Sequence, residues 1–182
     1  AERDIFAPVN NGGQVNFEAW TEGAEVDLDT LKSVKSPKDA FFPQSENLYT
    51  CYRDGKKITI KPEELRHEDF VVFGMKACDV RGVEVLDKVF LSEPVDTFYA
   101  ARRAHGTIVA LACHEPEETC FCGSFGIDAT APKGDIITWL VGDELYWQPV
   151  SEAGKALTEK VAELFEEASE AKVVVQQEAT KE

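Results

Sequence analysis

The chain has 182 residues, 43% of them hydrophobic, which is enough to bury a core as a single domain over residues 1–182 without covalent staples. Its net charge of −15 argues against nucleic acid and anionic membrane surfaces as partners. No run reaches the roughly 18 apolar residues of a membrane span and no targeting segment is visible, which suits a soluble cytoplasmic protein.

In chain order, Ile5 to Val9 and Gln14 to Trp20 flank the turn signal Asn10-Asn11-Gly12-Gly13 and predict a β-hairpin. Residues 22–47 are polar and proline-punctuated, and Leu28, Leu31 and Val34 suggest at most one short helix. A second hairpin is expected from Asn47 to Tyr52 and Lys57 to Ile60, around Asp54-Gly55. Pro62 then suits the first position of a short helix over Glu63 to Arg66. The apolar, β-branched and aromatic run from Asp69 to Gly74 predicts a buried strand. Cys78 follows it, and Asp79 is suited to cap the next helix. In that helix Val80, Val83, Leu86, Val89 and Phe90 recur at spacings of three and four. A shorter helix is predicted over Val95 to Ala104, after Pro94, and a second buried strand over Thr107 to Ala112, ended by Cys113.

Beyond the cysteines, Ile136 to Val141 and Leu145 to Pro149 straddle Gly142-Asp143 as a third hairpin. The last helix is predicted from Ser151 to about Ala171, with Leu157, Val161, Leu164, Phe165 and Ala168 on one face. The fold class is α/β, with α+β as the variant. Its parts are a small mixed sheet with a βαβ unit, flanking β-hairpins and a long carboxyl-terminal helix.

Four of the five cysteines carry the chemistry. Cys113, Cys120 and Cys122 fall within ten residues, and Cys78 is the distant fourth. In a βαβ unit the carboxyl ends of both strands lie on one edge of the sheet, where ligands bind in open α/β folds. Cys78 and Cys113 are both placed there, and Gly123 and Gly126 let the following loop turn back with Cys120 and Cys122. The amino end of the helix points at the same edge and favours thiolate. Four cysteines serve zinc and iron–sulfur clusters alike, and the spacing matches neither zinc ribbons nor bacterial ferredoxins. On spacing alone the two stay even, and four buried free thiols are the plainer reading. An odd count and no secretory signal speak against disulfides.

The remaining candidates are weaker. His114 sits beside Cys113 with its side chain expected to turn away, and His67 and His105 read as ordinary polar residues. Glu115, Glu117 and Glu118 read as a wet acidic loop. Lys76, Arg81, Arg102 and Arg103 flank the cysteine segments and are available to offset negative charge there, while ion pairing with the many surface acids is an equal reading of Arg102-Arg103. Cys51, on the second hairpin, reads as a packed thiol. No nucleotide- or flavin-binding glycine motif is present.

The stretches Gly74–Val80, Glu84–Leu91 and Ala112–Gly123 resemble one known family, as do Asp4–Val9, Ser36–Gln44 and the pair Arg102-Arg103. It is the iron–sulfur electron-transfer subunit shared by anaerobic sulfite reductase (its A subunit) and the β subunit of soluble nickel–iron hydrogenases. The resemblance implies one 4Fe-4S cluster held by Cys78, Cys113, Cys120 and Cys122. Asp79 is then a second-rank ligand or simply a helix cap. It also implies an electron-transfer role with no bond-making chemistry, inside an anaerobic complex with flavin- or cluster-containing subunits. A zinc-stabilised, non-catalytic interaction domain is the alternative. Family members continue into a ferredoxin-like domain with further cysteine motifs. This chain has no cysteine after Cys122, begins at Ala1 and ends Gln176 to Glu182. It therefore reads as an excised amino-terminal domain or a natural short relative.

Overall fold

Parallel strands that read as unbroken apolar runs need cover on both faces, and the computed structural model, which describes residues 4–181, supplies it. The Ala1 start and the Glu182 end lie outside the described residues. The main sheet has six strands. In chain order these are β1 (Asp4–Asn11), β2 (Gln14–Ala19), β5 (Phe70–Met75), β6 (Gly106–Leu111), β7 (Ile136–Val141) and β8 (Glu144–Pro149). They lie in the order β2-β1-β5-β6-β7-β8. The four central strands are parallel, and β2 and β8 close the two edges as antiparallel hairpin partners. The second hairpin, β3 (Tyr49–Asp54) with β4 (Lys57–Pro62), forms a separate two-stranded sheet.

Between β5 and β6 run α1 (Ala77–Phe90) and α2 (Thr97–His105), with a cis Glu93–Pro94 peptide in the connection. The period of two along the strands sorts the core. Phe70, Val72, Ile108 and Ala110 face one way and pack with Val80 and Val83 of α1 and Tyr99 of α2. Val71, Val109 and Ile136 face the other way and meet Leu157 of α3 (Glu152–Lys160). α4 (Ala171–Lys181) brings Val173 onto Trp139 and Ala112 at the end of the sheet. Each such fully buried aliphatic side chain contributes about 1.5–3 kcal/mol. The mixed α/β class, the βαβ unit and the three hairpins are as the sequence predicts.

Four local expectations are corrected. α1 begins at Ala77, not after Asp79, and Lys76 stands at its cap position without a capping side chain. Residues 63–66 form no helix, because Pro62 is still paired with Tyr49 and Glu63 N–H bonds the Leu48 carbonyl at 3.0 Å. Residues 28–34 form none either. There the Asp27 carboxylate accepts from Asp29 N–H, Thr30 N–H and the Thr30 hydroxyl, which holds a tight turn. The expected helix over Ser151 to Ala171 breaks after Lys160 and resumes at Ala171. Glu163, Glu166, Glu167 and Glu170 would repel at helical spacings of three and four. Phe165 instead adopts an extended backbone and lays its ring on Trp147, 5.1 Å away.

Candidate metal centre

The end of β5 sets the geometry. The pairing of β5 with β6 shifts register between Phe73 and Met75, so Gly74 is an extra residue, with φ of +86°. A Cβ there would stand 3.2 Å from Pro8 and 3.3 Å from Leu28, so glycine lets the backbone pass close to both. The bulge leaves Met75 and Lys76 both buried. Cys78 follows in the first turn of α1, at the carboxyl edge of the sheet. Cys113 lies two residues beyond β6 at the same edge, its N–H bonded to the Ala129 carbonyl at 2.9 Å.

The carboxyl-terminal end of the loop from Cys113 to Asp135 is tied to the sheet. Trp139 Nε1 donates to the Thr130 carbonyl at 2.8 Å, and Asp135 Oδ2 accepts from Ile108 N–H at 2.8 Å. Within it, Cys120 N–H bonds the Glu117 carbonyl at 2.9 Å, while Glu117 N–H points back at the Cys120 sulfur, 3.4 Å away. Cys122 opens a 3-10 turn that Gly126 closes in the left-handed region, φ +63°. Gly126 thus plays the expected turning role. Phe121 and Phe125, both exposed, stand 5.6 Å apart on this loop.

All five cysteines are free. Four of them share one electrostatic neighbourhood: Cys78 feels Cys122 and Cys113, and Cys113 feels Cys122, Cys120 and Lys76. Cys51 takes no part. It is exposed on the β3–β4 hairpin opposite Ile60, which corrects its reading as a packed thiol. Although Cys78 is open to solvent, surrounding protein pushes its thiol up to about 11, helped by the negative charges of Asp79, Cys122 and Cys113. Burial likewise raises Cys113, with Lys76 opposing. Burial and the neighbouring negative charges thus oppose the pull of the amino end of α1 toward thiolate. Among the described residues, no three His, Cys, Asp or Glu side chains converge tightly enough to hold one metal ion.

The flanking residues sort by contact. Asp79 does not cap α1. Its Oδ1 accepts from Ser36 Oγ at 3.1 Å and Lys38 Nζ at 3.0 Å, fastening the helix to the turn at Pro37–Ala40. Arg81 pairs with Glu84, Arg102 with Glu46, and Arg103 with Asp87, so these three arginines are committed elsewhere. Of the four expected cations, Lys76 has Cys113 and Cys78 among the charges acting on it. His114 lies 3.7 Å from Glu115, and its carbonyl accepts from Thr180 of α4. His105 bonds Asp69 at 3.0 Å, at the opposite end of β6 from Cys113. Lys32 is a contact the sequence reading missed. From the irregular 21–48 segment it reaches Thr119 and, at 2.7 Å, Glu117. Nothing local in the sequence announces an exposed lysine bridging 85 positions (117 − 32). An open groove of about 860 Å³ beside Trp147, Phe165 and Lys172 contains no cysteine and is separate from this neighbourhood.

No family model and no solved structure matches the chain. It is similar to sulfhydrogenase 2 subunit beta of Pyrococcus furiosus, 31% identical over 160 residues. The match takes in 79% of this chain and 45% of that protein, so the chain spans less than half of its relative's length. The similarity to a protein named as a sulfhydrogenase β subunit therefore runs along most of this chain and over part of that protein.

Proposed function

We propose that this chain is the cluster-holding part of an electron-transfer subunit in a hydrogenase-type redox complex, with Cys78, Cys113, Cys120 and Cys122 as ligands of one 4Fe-4S cluster. The observation that carries the reading is that Cys78 and Cys113 lie at the carboxyl edge of a parallel sheet, with Cys120 and Cys122 on the loop that follows and all four thiols unbridged. Thiolates are the donors that iron–sulfur clusters take, and such a cluster, when bound, accepts and releases single electrons. The chain's own residues hold it, shield one side and set the charge around it.

A single zinc needs four donors within about 2.0–2.3 Å of one point. The thiols here interact in charge without converging that tightly. The likeness to a sulfhydrogenase β subunit is what favours the cluster over the zinc-stabilised interaction domain. The word "subunit" in the relative's name supports partner subunits. On this reading those carry flavin or further clusters, and the hydrogenase branch of the resemblance is preferred to the sulfite reductase branch. Free thiols suit a reducing, cytoplasmic setting. Among the described residues no helix is long and apolar enough to cross a membrane. Residues 1–182 act in this role as one domain.

The test is reconstitution without oxygen, followed by visible absorbance and electron paramagnetic resonance of the reduced protein. Cys113→Ser and Cys120→Ser are expected to lose the cluster, and Cys51→Ser to keep it in full. Equal loss from Cys51→Ser, or full retention by Cys113→Ser, refutes the ligand assignment.

A further inference from the structure

A two-stranded sheet with neither face covered is marginal in water, and the β3–β4 hairpin stands in that position. None of its side chains belongs to the buried core, and all are exposed except the half-buried Thr50. The pairing register sorts them into two unlike faces. Tyr49 with Pro62, Cys51 with Ile60, and Arg53 with Ile58 share one face. Thr50 with Lys61, Tyr52 with Thr59, and Asp54 with Lys57 share the reverse. The first face is apolar along most of its length, with Tyr49 59%, Ile60 62% and Ile58 66% exposed. Arg53, its single charge, is drawn to the tip, where its Nε donates to the Gly55 carbonyl at 2.9 Å. Lys57 and Lys61 are confined to the reverse face, and Lys56 to the turn. Contiguous apolar surface left in water with a polar rim marks a place of association.

We propose that this face of the hairpin is an association surface for a second copy of the chain, paired face to face about a twofold axis. Charge selects that occupant. The hairpin carries Arg53, Lys56, Lys57 and Lys61 against Asp54, in a chain whose net charge is −15. Two such chains repel over most of their surface, and here each offers the other a face free of acids. An acidic partner would be drawn to Lys57 and Lys61, which lie on the reverse. The apolar face suits an uncharged counterpart, and a copy of itself is one. In a twofold pair each face meets its own counterpart, so Tyr49, Ile58 and Ile60 of both copies leave water together. Packed sheets stand about 10 Å apart, which already exceeds the Debye length of about 8 Å at physiological salt. The outward lysines of the two copies are therefore screened from each other. Three cross-strand pairs a side fall well short of the roughly 20–30 residues of a stable complex, so the pair is weak and depends on concentration.

The experiment is sedimentation velocity of the full chain from about 1 to about 500 μM, the range of a weak pair, at about 0.1 and about 1 M salt. Wild type is expected to pass from monomer to dimer across that range, at least as strongly at high salt as at low. Ile60→Asp and the milder Ile58→Thr are expected to weaken pairing by about tenfold or more, with thermal midpoints in dilute solution near wild type. If one of them fails to fold, the other still decides. Lys57→Glu, on the reverse face, is expected to pair as wild type does. A short bismaleimide, which adds one thiol at each end, is expected to join two wild-type chains through Cys51 into a covalent dimer that Cys51→Ser does not form. Wild type that stays monomeric throughout overturns the inference and leaves the face to a different protein. A dimer that survives both isoleucine changes, weakens equally in Lys57→Glu, or cross-links as well in Cys51→Ser also overturns it.

Discussion

Asp87 shows how one charged residue is made to serve the fold rather than the site. Its carboxylate accepts from Arg103 Nε at 2.7 Å, Arg103 Nη2 at 2.9 Å and the buried Tyr99 hydroxyl at 2.7 Å, locking α2 to α1. Burial acts to raise its pKa, but the Arg103 and Tyr99 hydrogen bonds win and hold it below the ordinary carboxylate value of 3.8. A carboxyl depressed by folding lends stability that is complete above its unfolded pKa and fades as pH falls through its folded one. Asp87→Asn is therefore expected to lose about 1–3 kcal/mol at pH 7, because Arg103 is left half-buried without its partner. The difference from wild type should narrow below about pH 4. Urea unfolding at both pH values checks this, and a gap that does not change with pH would refute it. Of the two roles the sequence leaves open for Arg103, offsetting charge at the cysteines or pairing with an acid, the ion pair with Asp87 is the second; proximity along the chain does not say which acid a guanidinium will meet.

At the scale of elements, turns and buried strands were legible and helix ends were not. Asn10 to Gly13, Asp54-Gly55 and Gly142-Asp143 announced their hairpins because glycine takes positive φ cheaply, and Gly12, Gly13, Gly55 and Gly142 all do so. The apolar runs at Phe70–Met75 and Gly106–Leu111 fixed the central strands within a residue or so. Helix periodicity, by contrast, ran on through Glu163 to Glu170 because it counts apolar positions and ignores like-charge repulsion. Asp79 resembled a cap because its type is right, but its partners, Ser36 and Lys38, are 43 and 41 positions away. Gly154 is a comparable case. Within α3 it reads only as a weak helix former, yet a Cβ there would lie 2.1 Å from the Asp135 carbonyl oxygen and 3.0 Å from Ile136. Glycine is what lets the helix lie against the end of the sheet. Gly154→Ala is expected to destabilise the chain by about 1–3 kcal/mol, the usual cost of overpacking, although alanine is the better helix residue. Thermal unfolding decides; an unchanged or raised midpoint would mean that α3 shifts freely.

For the whole molecule, the step from sequence to candidate site rested on topology. Two parallel strands with a helical crossover place Cys78 and Cys113 on one edge, and the structure keeps them there with Cys120 and Cys122 close by. The order β2-β1-β5-β6-β7-β8 was not legible, because strand neighbours far apart in sequence leave no local pattern. Nor was the buried Lys76, whose burial follows from a bulge that only the pairing register reveals.

The most direct measurement is the iron, acid-labile sulfide and zinc content of the chain purified strictly without oxygen. About four irons and four sulfides per chain, without zinc, is the predicted result. One zinc with no iron would contradict it, leaving a metal-stabilised interaction domain that shares ancestry, and not electron transfer, with the hydrogenase β subunit.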